Sequence, residues 1–138
     1  MAQLDPSEIE DAFELIDDWE ERYRYVIELG RELPELDEAL RTSATKVEGC
    51  ASQVWIATSV NDNRLSVQGD SDAMIVRGLV AILLAYYNGR ALTDVPALDP
   101  TAYLKRLQLA EHLTPQRANG LNAMVKRIQR DAAILSPA

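Results

Sequence analysis

Apolar positions recur with two different periods along this 138-residue chain, and the changes of period divide it into three stretches. In the first, Ile9, Ala12, Phe13 and Ile16 return at helical spacing behind Asp5-Pro6. Aspartate there is placed to cap, and proline is pre-organised for the first helical position. A second helix is predicted from about Trp19, with Tyr23, Val26 and Ile27 on one face. Gly30 is expected just past its end, at the position that favours a left-handed backbone. Leu33-Pro34-Glu35-Leu36 reads as a turn, and a polar connector runs from Arg41 to Thr45.

The middle stretch shortens its period. Gln53 to Val60 is rich in β-branched and aromatic residues, which fit a pleated surface and predict a strand. Asn61-Asp62-Asn63 is turn chemistry, and beyond it Leu65 and Val67 alternate with Arg64, Ser66 and Gln68. The two strands are expected to form a hairpin. Thr45–Glu48 is expected to add a short edge strand.

The helical period then returns. Asp70-Ser71-Asp72 offers capping oxygens, with Asp72 expected to cap a helix starting near Ala73. Ile75, Leu79, Ile82, Leu83 and Tyr86 make its core stripe, and Asn88-Gly89 stops it. Asp99-Pro100 starts a helix carrying Tyr103, Leu104 and Leu107. Thr114-Pro115 starts the last, with Leu121, Met124, Val125 and Ile128 inward. Helix, helix, hairpin, helices is an α+β order, with helices packed on one face of a small antiparallel sheet. No repeat, low-complexity run or internal linker interrupts it, so residues 1–138 are expected to form one domain.

Charge narrows the possible partners. Against 14 basic residues stand 22 acidic ones, a formal net of −8. Such a surface repels nucleic-acid backbones and anionic lipid, so neither nucleic acid nor membrane is an expected partner. Met74–Tyr87, the most apolar run, contains Arg77 and is too short to span a bilayer. The N-terminus lacks the basic-then-apolar layout of a signal peptide, and a cytoplasmic location is expected. The single cysteine, Cys50, has no internal partner for a disulfide, which agrees with a reducing compartment. One cysteine and one histidine also leave no multi-cysteine or His-rich metal site, and no cofactor is expected.

Cys50 is the sharpest candidate for chemistry. Gly49 before it permits a tight backbone turn that would present the sulfur at a loop tip. By residue type alone, a lone cysteine is most often a small buried apolar side chain. Lys46 would favour a thiolate and Glu48 would oppose it. His112 is a conceivable base for Cys50, but nothing in the spacing brings the two together. Arg117 falls in the first turn of the last helix, where the macrodipole disfavours a cation. It therefore serves either something outside its helix or nothing beyond solvation.

The run Lys46-Val47-Glu48-Gly49-Cys50-Ala51-Ser52-Gln53-Val54-Trp55 resembles the cysteine motif of the SufE/CsdE family of sulfur acceptors. Three further blocks resemble that family in the same order. They are Trp19–Tyr23 with Ile27–Gly30 and Leu33–Leu36, Gly69–Ala73 with Ile75–Leu79, and His112–Pro115 with Arg117 and Gly120-Leu121. Thr45 and Ala51 depart from it, standing where asparagine and glutamine are common.

The resemblance implies an α+β fold shared with scaffold proteins of the IscU type. It also implies a carrier whose Cys50 takes persulfide sulfur from a PLP-dependent cysteine desulfurase of the SufS or CsdA type. The sulfur then goes to a SufBCD-type iron–sulfur assembly scaffold or another acceptor. Asp72 and Arg117 are the candidate partner-binding residues. A different class of function, a binding module that regulates a desulfurase without carrying sulfur, stays open.

Overall fold

The computed structural model describes residues 5–50 and 52–136, with Ala110 described by its backbone alone; the family departure at Ala51 lies outside the described residues. Helix α1 spans Pro6–Leu15, capped by the Asp5 carboxylate accepting from the Ser7 amide at 2.9 Å. Helix α2 spans Trp19–Glu32, capped in the same way by Asp18. Strands β1 (Val54–Asn61) and β2 (Arg64–Ser71) form an antiparallel hairpin in register from Val54–Ser71 to Asn61–Arg64. At its turn Asp62 and Asn63 take φ of 52° and 62°, the left-handed pair whose twist suits a two-residue hairpin loop.

Helix α3 (Met74–Tyr87) follows, then α4 (Pro100–Arg106), α5 (Leu109–His112) and α6 (Pro115–Leu135). Asp99 caps α4, and the Thr114 hydroxyl caps α6 by accepting from the Arg117 amide at 3.3 Å. Short 3-10 turns at Glu38–Leu40 and Leu92–Ala97 complete the described chain. The α+β architecture expected from the period changes is present.

Val54 and Ile56 of β1 and Leu65 and Val67 of β2 are buried, while Ser59 and Gln68 are exposed. The helices cover the buried face, with α3 against β2 and α6 against β1. Helix α3 is sandwiched between the sheet and α2. That explains why it is buried from Gly78 through Tyr87 instead of along one stripe. Ile75, assigned to the stripe, is only half-buried, and Val76 takes the interior position.

Four expectations need correction. Gly30 does not end α2; it lies inside the helix, where α2 crosses α3. A Cβ on Gly30 would sit 2.7 Å from the Gly78 backbone nitrogen, and one on Gly78 would overlap the Val26 carbonyl. These glycines permit close approach of two backbones. Second, α2 buries Val26 and Leu29, leaving Tyr23 and Ile27 half-buried. Third, Thr45–Glu48 makes one antiparallel bridge, Lys46 to Trp55, and no strand.

Fourth, Asp72 does not cap α3. Its N-cap residue is Ala73, with no side-chain cap, and the Asp72 carboxylate instead accepts from the Gln53 amide at 3.0 Å. Asp70 is turned inward and fully buried. Its carboxylate accepts from Arg77, from Arg41 at 2.5 Å, from the Leu36 amide at 3.2 Å and from the Ser71 amide at 2.8 Å. Arg77 also donates to the carbonyls of Gly30 and Leu33. One buried charge thus ties the end of α2, the following turn and α3 to the sheet.

Both outer edges of the hairpin are partly occupied. The Val47 amide donates to the Val54 carbonyl and the Ile56 amide to the Thr45 carbonyl, each at 2.8 Å. On β2, the Asn88 side chain accepts from the Val67 amide at 2.6 Å and donates back to its carbonyl at 3.0 Å. The Leu65 amide donates to the Arg90 carbonyl at 2.8 Å. Among the described residues no helix is long and apolar enough to cross a membrane.

Candidate functional site

Cys50 sits where the chain turns into β1, on a loop anchored on both sides. Upstream, Val47 is buried and hydrogen-bonded to β1. Downstream, Asp72 holds the Gln53 amide, and the Ser71 hydroxyl donates to the Gln53 carbonyl at 2.7 Å. Between the anchors Gly49 takes φ of 90°, a conformation an L side chain rarely adopts. The loop therefore turns at Gly49 and lays Cys50 against α6. The Cys50 thiol lies 3.6 Å from the Gly120 carbonyl oxygen, within reach of a weak S–H hydrogen bond. Gly120 makes room for this: a Cβ there would stand 3.5 Å from Sγ.

Beside the sulfur opens a cavity of about 220 Å³. Its inner wall is apolar, from Val76, Leu79 and Met124, and its rim is polar, from Ser52, Thr114, Gln116 and Arg117. The rim coincides with the first turn of α6, so the positive end of the macrodipole lies near the mouth. Arg117 lines the cavity, and among the described residues its guanidinium makes no ion pair. The structure thus brings Cys50 and Arg117 to one cavity. Asp72 stands behind the loop, on its anchor.

Partial burial raises the thiol pKa of Cys50 above its ordinary value, and the charge of Glu48 raises it further. At neutral pH the group is a thiol, poised but not ionised. Lys46, expected to favour the thiolate, is not among the causes of that shift.

His112 is elsewhere engaged. Its ring stacks on Trp19 with centroids 3.6 Å apart, and its carbonyl accepts from the Tyr23 hydroxyl. Arg22 also packs on that cluster, 4.9 Å from the Trp19 ring and 5.6 Å from Phe13. His112 is not a hydrogen-bond partner of Cys50. Trp19 is half-buried in this surface cluster.

Sequence reading missed Arg127. It donates to both Asp131 carboxylate oxygens, at 3.1 and 2.9 Å, and to the carbonyls of Lys46, at 3.1 Å, and Ala44. Asp131 also accepts from the Thr58 hydroxyl at 3.0 Å. This clamp fixes the segment that leads into the Cys50 loop onto α6 and β1. The i, i+4 spacing of Arg127 and Asp131 was its only trace in the sequence.

Residues 7–132 match the SufE family, described as an Fe-S metabolism associated domain. An uncharacterised SufE-like protein of Rhizobium etli is 51% identical over 142 aligned residues, covering all of this chain and 95% of the relative. Another, of Rhizobium meliloti, is 49% identical and is covered completely, as is this chain. The solution structure of a hypothetical protein from Thermus thermophilus superposes with a TM-score of 0.77 over 98% of both chains. At 19% identity that likeness speaks for the fold alone. With the family match covering most of its length, the chain belongs to the SufE family of Fe-S metabolism proteins.

Proposed function

We propose that this chain is a sulfur carrier, acting as one SufE-like domain in a reducing, cytoplasmic compartment. Cys50 accepts sulfur from a PLP-dependent cysteine desulfurase and delivers it to an iron–sulfur assembly scaffold. The observation that carries this reading is the placement of the chain's single cysteine. It lies on a glycine-hinged loop at the mouth of a cavity of about 220 Å³, with a cation on the rim.

The chemistry balances without a cofactor in the carrier. The Cys50 thiolate attacks the outer sulfur of the donor's persulfide and forms a new S–S bond. The donor's own S–S bond breaks, and its cysteine leaves as a thiolate. The outer sulfur, with its charge or proton, now ends the Cys50 side chain, and no net oxidation occurs. The second transfer repeats the exchange, with the acceptor's thiolate as attacking group.

Because burial and Glu48 hold Cys50 as a thiol, ionisation must accompany docking. A partner that draws the loop out of its seat on Gly120 reduces the desolvation cost, and a nearby cation favours the anion. The cavity gives the added sulfur a sheltered place, and Arg117 on its rim can pair with a persulfide anion or with a carboxylate of the donor.

The test is intact mass after incubation with the desulfurase, PLP and cysteine. A gain of one sulfur on Cys50, removed by reductant, supports carriage. Full stimulation of the desulfurase by Cys50→Ser under multiple turnover would instead mark a regulatory module.

A further inference from the structure

A second groove opens on the other side of the Cys50 loop, a cavity of about 250 Å³ between that loop and α6. Lys46 and Glu48 line one wall, and Ala123, Lys126, Arg127 and Arg130 line the other. The α6 residues fall at i, i+3, i+4 and i+7, one stripe of the helix. Four of the chain's 14 basic residues thus gather in one groove of a molecule with a formal net charge of −8.

Arg127 is committed to the clamp, with its side chain only 14% exposed. The other three cations face solvent. Lys46 and Lys126 have no ion-pair partner among the described residues, and Arg130, 64% exposed, reaches only Asp131, at 3.5 Å. Like charges four residues apart on a helix, as at Lys126 and Arg130, oppose folding slightly. The long Arg130–Asp131 pair, with the arginine largely in solvent, offsets little of that cost, and Lys46 and Lys126 have no such pair among the described residues, so the arrangement suits an anion from outside.

Its location says which kind. Glu48 lines the groove two residues before Cys50, and a Cβ on Gly49 would lie 3.5 Å from that of Ala123. A protein that brings its own cysteine to Cys50 covers roughly 800 Å² of this surface, enough to reach the groove. The acidic remainder of the chain repels an acidic partner face, and this groove attracts it. That contrast selects one docking orientation and speeds encounter.

We propose that the groove docks a carboxylate-rich segment of the cysteine desulfurase, with Lys46, Lys126 and Arg130 as its electrostatic contacts; this rests on the carrier reading above. The contribution falls as salt shortens the range of interaction between exposed charges.

The experiment measures affinity of the PLP-loaded desulfurase for the Cys50→Ser protein, with and without Lys46→Glu, Lys126→Glu and Arg130→Glu together. Matched melting curves establish that the variant folds. At low salt, about 0.05 M, the triple change should weaken binding by about tenfold or more, and the gap should close near ~0.5 M. Exchanging the three for Arg, Arg and Lys should restore affinity. Equal affinities at low salt, or no binding by the parent, would overturn the proposal. So would a triple variant that loses heparin binding while keeping its desulfurase affinity, which would assign the groove to polyanions. Because sulfur cannot move to serine, the binding result is independent of the carrier chemistry. Intact affinity with no sulfur gained by wild-type Cys50 would count against carriage alone.

Discussion

The sulfur of Cys50 and the carbonyl oxygen of Gly120 stand 3.6 Å apart, joining a loop residue to the buried side of the last helix. The contact suits a thiol, which has a proton to share, and not a thiolate, which would face a carbonyl dipole of the wrong sign. The resting site is therefore built around the protonated sulfur.

Glu48 adds to that preference, so Glu48→Gln should lower the thiol pKa while burial keeps it above the ordinary value. The rate of alkylation by iodoacetamide, followed against pH, should move its midpoint downward in the variant. An unchanged midpoint would remove Glu48 from the control of the thiol.

Asp72→Ala should act through the Cys50 loop and leave the start of α3 intact, because the carboxylate holds the Gln53 amide and caps nothing. The expected loss is about 0.5–1.5 kcal/mol, the net worth of one hydrogen bond. Amide exchange should quicken at Gln53 and over Val47–Cys50. Faster exchange confined to Met74–Arg77 would restore the capping role.

Asp70→Ala should be far more damaging. It leaves Arg77 and Arg41 without their shared carboxylate and the Leu36 amide without an acceptor. Breaking a buried pair from one side costs about 3–5 kcal/mol, which urea unfolding would read directly. Because Arg41 is partly exposed, the lower end of that range is expected. A loss near that of Asp72→Ala would show the cluster to be weakly coupled.

The fold should also weaken in alkali. Burial is the main cause that pushes the Tyr87 phenol up to about 12, and it raises Tyr103 and Tyr25 in the same direction. A raised folded pKa means that the native state holds its proton more tightly. The associated stability is complete below the unfolded value near ~10 and is lost as pH rises through the folded one. Urea midpoints should decline across that window, and Tyr87→Phe should flatten the decline. An equal slope in the variant would locate the loss elsewhere.

Local chemistry was readable wherever it was decided locally. Asp5-Pro6, Asp99-Pro100 and Thr114-Pro115 start helices as their residue types require, and Asn61–Asn63 turns the hairpin. Cys50 and Arg117 were picked out separately, one by its place after Gly49 in a family-like motif and one by its unfavourable charge, and the fold joins them at one cavity. The misreadings share a physical cause. Gly30 resembles a helix end, and Asp70 and Asp72 resemble caps, because those are the commonest local uses of the residues. Here a helix crossing 48 residues further on overrides the first, an arginine pair on two other segments the second, and the Gln53 amide the third. Arg127 was nearly hidden for the same reason: beyond Asp131, its acceptors are the carbonyls of Lys46 and Ala44, more than 80 residues away along the chain.

The Asn88 side chain has a consequence for the life of the protein in a crowded cell. A two-stranded sheet has two rims, and each is an open template for a strand from another molecule. Here Asn88, with the backbone at Arg90, imitates a third strand along β2, and Thr45 to Val47 does the same along the opposite end of β1. The blocked stretches lie at opposite ends of the hairpin, so neither rim is open along its full length to an incoming strand. The Cys50 loop is continuous with one of these blocks. Its displacement would bare part of a rim, which sets a limit on how far the loop can open without inviting self-association.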